Sequence, residues 1–157
     1  MQGFVHKDYS PHDYGAHPRS RSAHGIRVYD YDRDRFVGVT HMHGLRDMAG
    51  KTDTPDRTLQ AHRLLDISRQ AAAQSDIAIV CGDFNVEPGS ETLRLFEERG
   101  MTELVTRADT GGTRTSFYKK AGKFADYMLV SDPGRVVRFD VIRQPEVSDH
   151  CPLFLEI

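Results

Sequence analysis

The sequence predicts a layered α/β fold, and three observations carry that prediction. Short apolar runs alternate with amphipathic stretches, the pattern of strands interleaved with helices. The run "DIAIVCG" at 76–82 is continuously apolar, as expected of a strand covered on both faces. The stretch that follows Pro55 carries an apolar stripe at three- and four-residue steps. The chain has 157 residues, the size of one domain, and no internal repeat or low-complexity segment. Its hydrophobic share of 38% and charged share of 28% suit a globular protein rather than a disordered one.

The elements follow in order. Residues 1–23 hold Pro11, Pro18, Gly3 and Gly15 without a steady period, and four histidines, His6, His12, His17 and His24, fall within the first 24 residues. They read as loop, and the histidine spacing matches no metal motif. "GIRVYDYDRDRFVGVTHMHG" reads as a hairpin with a polar tip at Asp30 to Asp34. Residues 42–55 read as a polar loop. Thr54 is placed to cap a helix that has Pro55 at its first position and Asp56 in its first turn. Ala61, Leu64, Leu65, Ser68, Ala71 and Ala72 form its stripe, which should pack on a sheet. After the 76–82 strand, Ser90 can cap a second helix, with Gly100 as its stop. Residues 106–123 are polar and rich in Gly, Thr and Lys. "FADYMLVS", "RVVRFDVIRQ" and "CPLFLEI" read as three further strands.

Charge and cysteines narrow the function classes. The net charge of −2 and a pI near 6.4 argue against a general nucleic-acid coat protein, which is normally basic. No apolar run approaches the roughly 18 residues of a membrane span, and the start lacks a signal-peptide core. The expected location is cytoplasmic, or secreted if the front is trimmed. Cys81 and Cys151 lie in apolar runs and read as buried, reduced thiols.

Polar groups stand at the ends of the apolar runs, where scaffolds mount catalytic residues. "GDFN" puts Asp83 and Asn85 two apart, so in an extended chain they share a face while Phe84 turns to the core. Gly82 leaves room for a ligand or another backbone to approach. "VTHMHG" ends a strand in His41, "FADYMLVS" starts one with Asp126, and "VSDHCP" puts Asp149 and His150 ahead of the last. Taken singly, Asp83 and Asn85 read equally as a turn, His41 as an ordinary strand histidine, and Asp149 with His150 as a turn or cap.

Taken together, "THMHG", "GDFN", "DYMLVS" and "SDHCP" in this order resemble the endonuclease/exonuclease/phosphatase superfamily, the deoxyribonuclease I-like fold. The resemblance covers about residues 20–157. It implies a layered β-sandwich flanked by helices, and a divalent-metal-dependent phosphoesterase using Mg²⁺ or Mn²⁺. It also implies roles. Asp83 orients or activates the attacking water and binds metal, Asn85 holds the scissile phosphate, and His41 steadies its charge. His150 contacts the phosphate or acts as base, Asp126 partners that histidine, and Asp149 binds metal. Such roles are physically coherent. Fixed donors and a cation stabilise charge on nonbridging oxygens. Mg²⁺ needs only one or two carboxylates besides phosphate and water. A carboxylate on one imidazole nitrogen fixes the tautomer of the other.

The chain departs from the family in one respect. Full-length members resemble two stacked halves, the first supplying an Asn and a metal-binding Glu, and neither motif is visible here. The chain thus reads as a single partial domain over 1–157 that lacks the N-terminal half. Glu87 and Glu91 follow the "GDFN" turn and are not promoted to the absent ligand. The face that would meet the first half should be apolar and open, which makes a homodimer one expectation. Expected partners are phosphate-ester substrates: nucleic acid, phospholipid or a small phosphoester. Arg114, Lys119, Lys120 and Lys123, in the loop before Asp126, are placed either to receive phosphate oxygens or a nucleic-acid backbone, or to form an ordinary solvated polar loop. The alternative is a non-catalytic half that binds a phosphorylated ligand or a protein, or a fragment active only as a dimer or with its missing half.

Overall fold

The computed structural model describes residues 21–47 and 50–157. Of the expected loop over 1–23, residues 1–20, with His6, His12 and His17, lie outside the described residues, and Ala23 already belongs to the first strand. Strands β1 (Ala23–Asp30) and β2 (Arg35–His43) form the expected antiparallel hairpin, with Ile26 opposite Val39 and Val28 opposite Val37. Asp30 closes the tip, its carboxylate accepting from the backbone N–H groups of Asp32 and Arg33. β2 runs to His43, so the polar loop starts two residues later than the sequence suggested.

Helix α1 (Pro55–Ala71) begins as its sequence dictates. Thr54 Oγ1 accepts from the Arg57 N–H, and Pro55 fills the first turn where no donor is needed. Its buried stripe is Ala61, Leu64, Leu65, Ser68 and Ala71, together with Ile67. α1 is the crossover that lets β3 (Ile77–Asp83) lie parallel to β2. Ser90 caps α2 (Glu91–Glu97), which ends before the left-handed Gly100 (φ 81°). β4 is a two-residue strand (Thr102–Glu103) that the sequence pattern does not reveal. β5 (Asp126–Val130), β6 (Arg138–Val141) and β7 (Leu153–Glu156) complete the set, the last two shorter than their apolar runs.

The main sheet has the order β1-β2-β3-β5-β4, antiparallel except between β2 and β3, while β6 and β7 pair separately. Alternation along the strands divides the core in two. Val80, Met42, Tyr127 and Leu129 face α1 and α2 and join Leu64, Phe84 and Phe96. Ile77, Ile79, Met128 and Val130 face the other way, against Phe139, Leu153 and Leu155 of β6 and β7. β3 is therefore covered on both sides, as its sequence predicts. The β6–β7 pair does not close the second face. Ile26 and Val28 on β1 remain 37% and 43% exposed.

Two side chains tie the loop after β2 to this frame. The buried Arg57 of α1 donates to the carbonyls of Leu45, Gly50 and Thr52. Gln60 Oε1 accepts from the Leu45 N–H. Each bond satisfies a backbone group that would otherwise be orphaned next to the site.

Candidate active site

Strand register builds the site. His43 pairs with Asp83 across β2–β3, and Asp83 pairs with Asp126 across β3–β5. Residues opposite one another point to the same face, so the three side chains form a row across three neighbouring strands. Gly82 makes this possible: its φ is +132°, and a Cβ there would lie 2.0 Å from the Met42 carbonyl oxygen. The expected close approach is thus to the backbone of β2.

Asn85 joins the row by a different route from the one alternation predicts. β3 stops at Asp83, and Asn85 takes a left-handed φ of 53°. Asp83 Oδ1 accepts from the Asn85 N–H at 2.9 Å, and Asn85 Nδ2 donates to the Gly44 carbonyl at 3.2 Å. A local Asx turn, not extended geometry, swings the amide beside the acid. Phe84 is buried as expected and packs edge-on against Phe96 and Tyr127.

His150 arrives from the segment before β7. The Cys151 N–H donates to the Thr113 carbonyl at 2.8 Å, and Arg114 bridges to His150 in short antiparallel pairing. His150 Nδ1 meets Asp126 Oδ2 at 2.8 Å, while Nε2 lies 3.8 Å from Asp83 Oδ2. Asp126 is itself held by Thr113, whose hydroxyl donates to Oδ2 at 2.8 Å and accepts from the Asp126 N–H. The Asp126–His150 pairing that the motifs imply is present, with Asp126 behind the imidazole rather than on the cleft wall. Thr113 is fully buried and carries no sequence signal beyond lying in a Gly-Thr loop.

The cleft has a volume of about 460 Å³. Asp83, Asn85, Arg114, Asp149 and His150 line it, with His43 on one side. Arg21, Arg46, Lys119 and Lys120 add positive charge to its walls, and Phe117 and Tyr118 add aromatic surface. His41 does not line it. That residue is exposed and pairs with His24 and Cys81, one pleat back from the strand end. The position beside Asp83 is held by His43, with Nε2 3.6 Å from Asp83 Oδ2. The signal was available: in "THMHG" both histidines share a face, and the second is nearer the terminus. Asp149 reaches the cleft, but its carboxylate accepts from Arg114 Nη1 at 2.9 Å.

Electrostatics follow from this crowding. Burial, then the nearby Asp126 charge, pushes the Asp83 carboxyl above its usual value, against the pull of the Asn85 N–H and His150. The hydrogen bond to Asp126 raises the His150 imidazole despite partial burial. His43 moves the other way, lowered by burial and by Arg21. A metal ion fits the donor set. Oxygen atoms of Asp83 and Asp126 and a nitrogen of His150 lie within 4.8 Å of one another. Asp149, the second expected ligand, is outside that trio and faces Arg114.

The sequence matches the profile of the Endonuclease/Exonuclease/phosphatase family over residues 9–150. The chain belongs to that family. A Caenorhabditis elegans protein provisionally described as a neutral sphingomyelinase is 31% identical over 102 residues. That match takes in 59% of this chain and 24% of the relative. Solved structures share the fold at 18% identity. A mannosyl-6-phosphatase of Bacteroides thetaiotaomicron has a TM-score of 0.65, with 87% of this chain and 56% of that one covered. The human Nocturnin catalytic domain, with bound sulfate, has a TM-score of 0.61, with 88% and 54% covered. This endonuclease/exonuclease/phosphatase chain thus spans about a quarter of that curated relative and little more than half of those structures. The expected layered α/β architecture and the partial coverage of the family fold are both as the motifs implied.

Proposed function

We propose that the chain hydrolyses phosphate esters in this cleft with the help of a divalent metal. One observation carries the reading: Asp83, Asn85 and the Asp126–His150 pair, contributed by distant segments, converge at one strand-end rim beneath basic walls. A phosphate entering past Arg46, Lys119 and Lys120 meets charge of the opposite sign. Asn85 Nδ2 has one N–H on Gly44 and a second to offer a phosphoryl oxygen.

The geometry divides the proton work. Attacking and leaving oxygens lie roughly in line across phosphorus. Asp83 and His150 are only 3.8 Å apart, so they serve the same side. Asp83, its carboxyl raised by burial, takes a proton from the attacking water, and the leaving oxygen departs on the opposite side and is protonated by solvent. His150, oriented and raised by its bond to Asp126, turns Nε2 toward a nonbridging oxygen. Asp83 and Asp149 would hold Mg²⁺ or Mn²⁺ at the cleft, with Asp126 close behind, and the ion would supply charge neutralisation at the phosphoryl oxygens. The structural likeness to a phosphatase and the sequence likeness to a sphingomyelinase-type protein support phosphate-ester chemistry without choosing between monoester and diester.

A second reading is a non-catalytic half that binds a phosphorylated ligand. It is favoured by Arg114, which already engages two of the site's acids. The test is turnover of a chromogenic phosphodiester and phosphomonoester with Mn²⁺ or Mg²⁺, beside Asp83→Ala and His150→Ala. Activity that needs the metal and both side chains supports the enzyme. Activity that survives both substitutions refutes it, and binding without turnover favours the second reading. The exposed Ile26 and Val28 also support pairing of two copies through this face. A stable monomer in sedimentation at micromolar concentration would remove that idea.

A further inference from the structure

We propose that Arg114 is the site's own cation, competing with a divalent ion for Asp83 and Asp149 and yielding to it when an anion binds. The inference rests on the metal-assisted reading above and deepens it.

Arg114 is an unusual neighbour for a metal site. Its side chain is only 7% exposed. Nη1 donates to Asp149 Oδ2 at 2.9 Å and also meets His150 Nε2, while Nη2 lies 3.9 Å from Asp83 Oδ2. The guanidinium carbon stands 4.4 Å from the Tyr118 ring centroid. Packing on that ring therefore fixes its position independently of the acids. Its backbone is pinned too, the N–H donating to the Lys123 carbonyl at 3.1 Å. Arg114 Nε is buried with no partner among the described residues, so the guanidinium still has a donor to offer.

The contact geometry gives the consequence. Arg114 Nη1 holds Asp149 at 2.9 Å and Nη2 lies 3.9 Å from Asp83, so the guanidinium stands against the two carboxylates a divalent ion would use. Its like charge opposes the ion until an anion draws the guanidinium away from those carboxylates. Metal and anion should then assist each other's binding, and the assistance must be reciprocal. An arginine fork suits this exchange, because it pairs with carboxylate and phosphate in the same geometry.

The experiment measures Mn²⁺ binding by calorimetry, with and without saturating sulfate, for the wild-type chain, Arg114→Met and Arg114→Lys. Without sulfate, Arg114→Met should bind Mn²⁺ about tenfold tighter, since a positive charge within a few ångströms has gone. Arg114→Lys should stay close to wild type, which also shows that the site still folds. Sulfate should tighten Mn²⁺ binding in the wild type and lose most of that effect in Arg114→Met. Asp83→Asn should weaken binding in each background, which places the ion in this site. Equal or weaker Mn²⁺ binding by Arg114→Met would overturn the proposal. So would binding indifferent to Asp83→Asn, or no binding in any variant. Lack of turnover with the competition intact would instead count against the enzyme reading alone.

Discussion

Among the described glycines, Gly82→Ala should be the most damaging single-methyl change. Gly82 holds φ +132°, a region that L-residues rarely adopt. The added Cβ would lie 2.0 Å from the Met42 carbonyl oxygen and about as close as 3.0 Å to its carbon. All of these atoms are backbone of a neighbouring strand, so no side chain can move aside. Backbone strain of roughly 1–3 kcal/mol adds to overpacking of similar size, and about 3 kcal/mol is a conservative sum. With a urea slope near 2 kcal/mol/M, the midpoint should fall by about 1.5 M. Any separation of β2 from β3 also parts His43 from Asp83, so activity should fall further than the folded fraction does. Gly89→Ala is the control: its φ is +77° but a Cβ meets nothing within 4 Å, so only backbone strain of about 1 kcal/mol applies. Urea melts followed by circular dichroism decide the matter. If both variants lose the same small stability, below about 1 kcal/mol, the close approach of the strands is not what fixes the site.

Asp126→Asn should bring the His150 pKa down toward that of an ordinary imidazole, measured by NMR titration, because Asp126 is its largest raising influence. A raised folded-state pKa stabilises the protein below the unfolded value, about 6.5, and the gain fades as pH climbs through the folded value. The stability gap between wild type and Asp126→Asn should therefore be widest near about pH 6 and narrow toward about pH 9. His43→Ala should reduce kcat/KM by about tenfold or more, while His41→Ala stays within about threefold, since only His43 lines the cleft. Tyr127→Phe should cost about 1–2 kcal/mol in urea melts by orphaning the Val86 carbonyl, which accepts from the buried Tyr127 hydroxyl at 3.0 Å.

Local chemistry in the sequence was enough to determine the elements and several of their boundaries. Thr54 and Pro55 start α1, Ser90 starts α2, and the 76–82 run forms a strand buried on both faces, because caps and periodicity act within one or two turns. The order of the motifs also determined that Asp83, Asn85, Asp126 and His150 belong together. Tertiary structure alone decided the rest. Register across β2, β3 and β5, a relation between residues some 40 positions apart, put His43 rather than His41 opposite Asp83. A left-handed turn turned Asn85 into the cleft. The Thr113 hydroxyl and the Arg114 guanidinium became partners of Asp126 and of Asp149 and Asp83 only when the 106–123 loop folded back onto the last strand's approach. Spacing along a chain encodes which face a side chain takes, but which neighbour it meets depends on strand pairing and loop closure, and these are settled by the whole core at once.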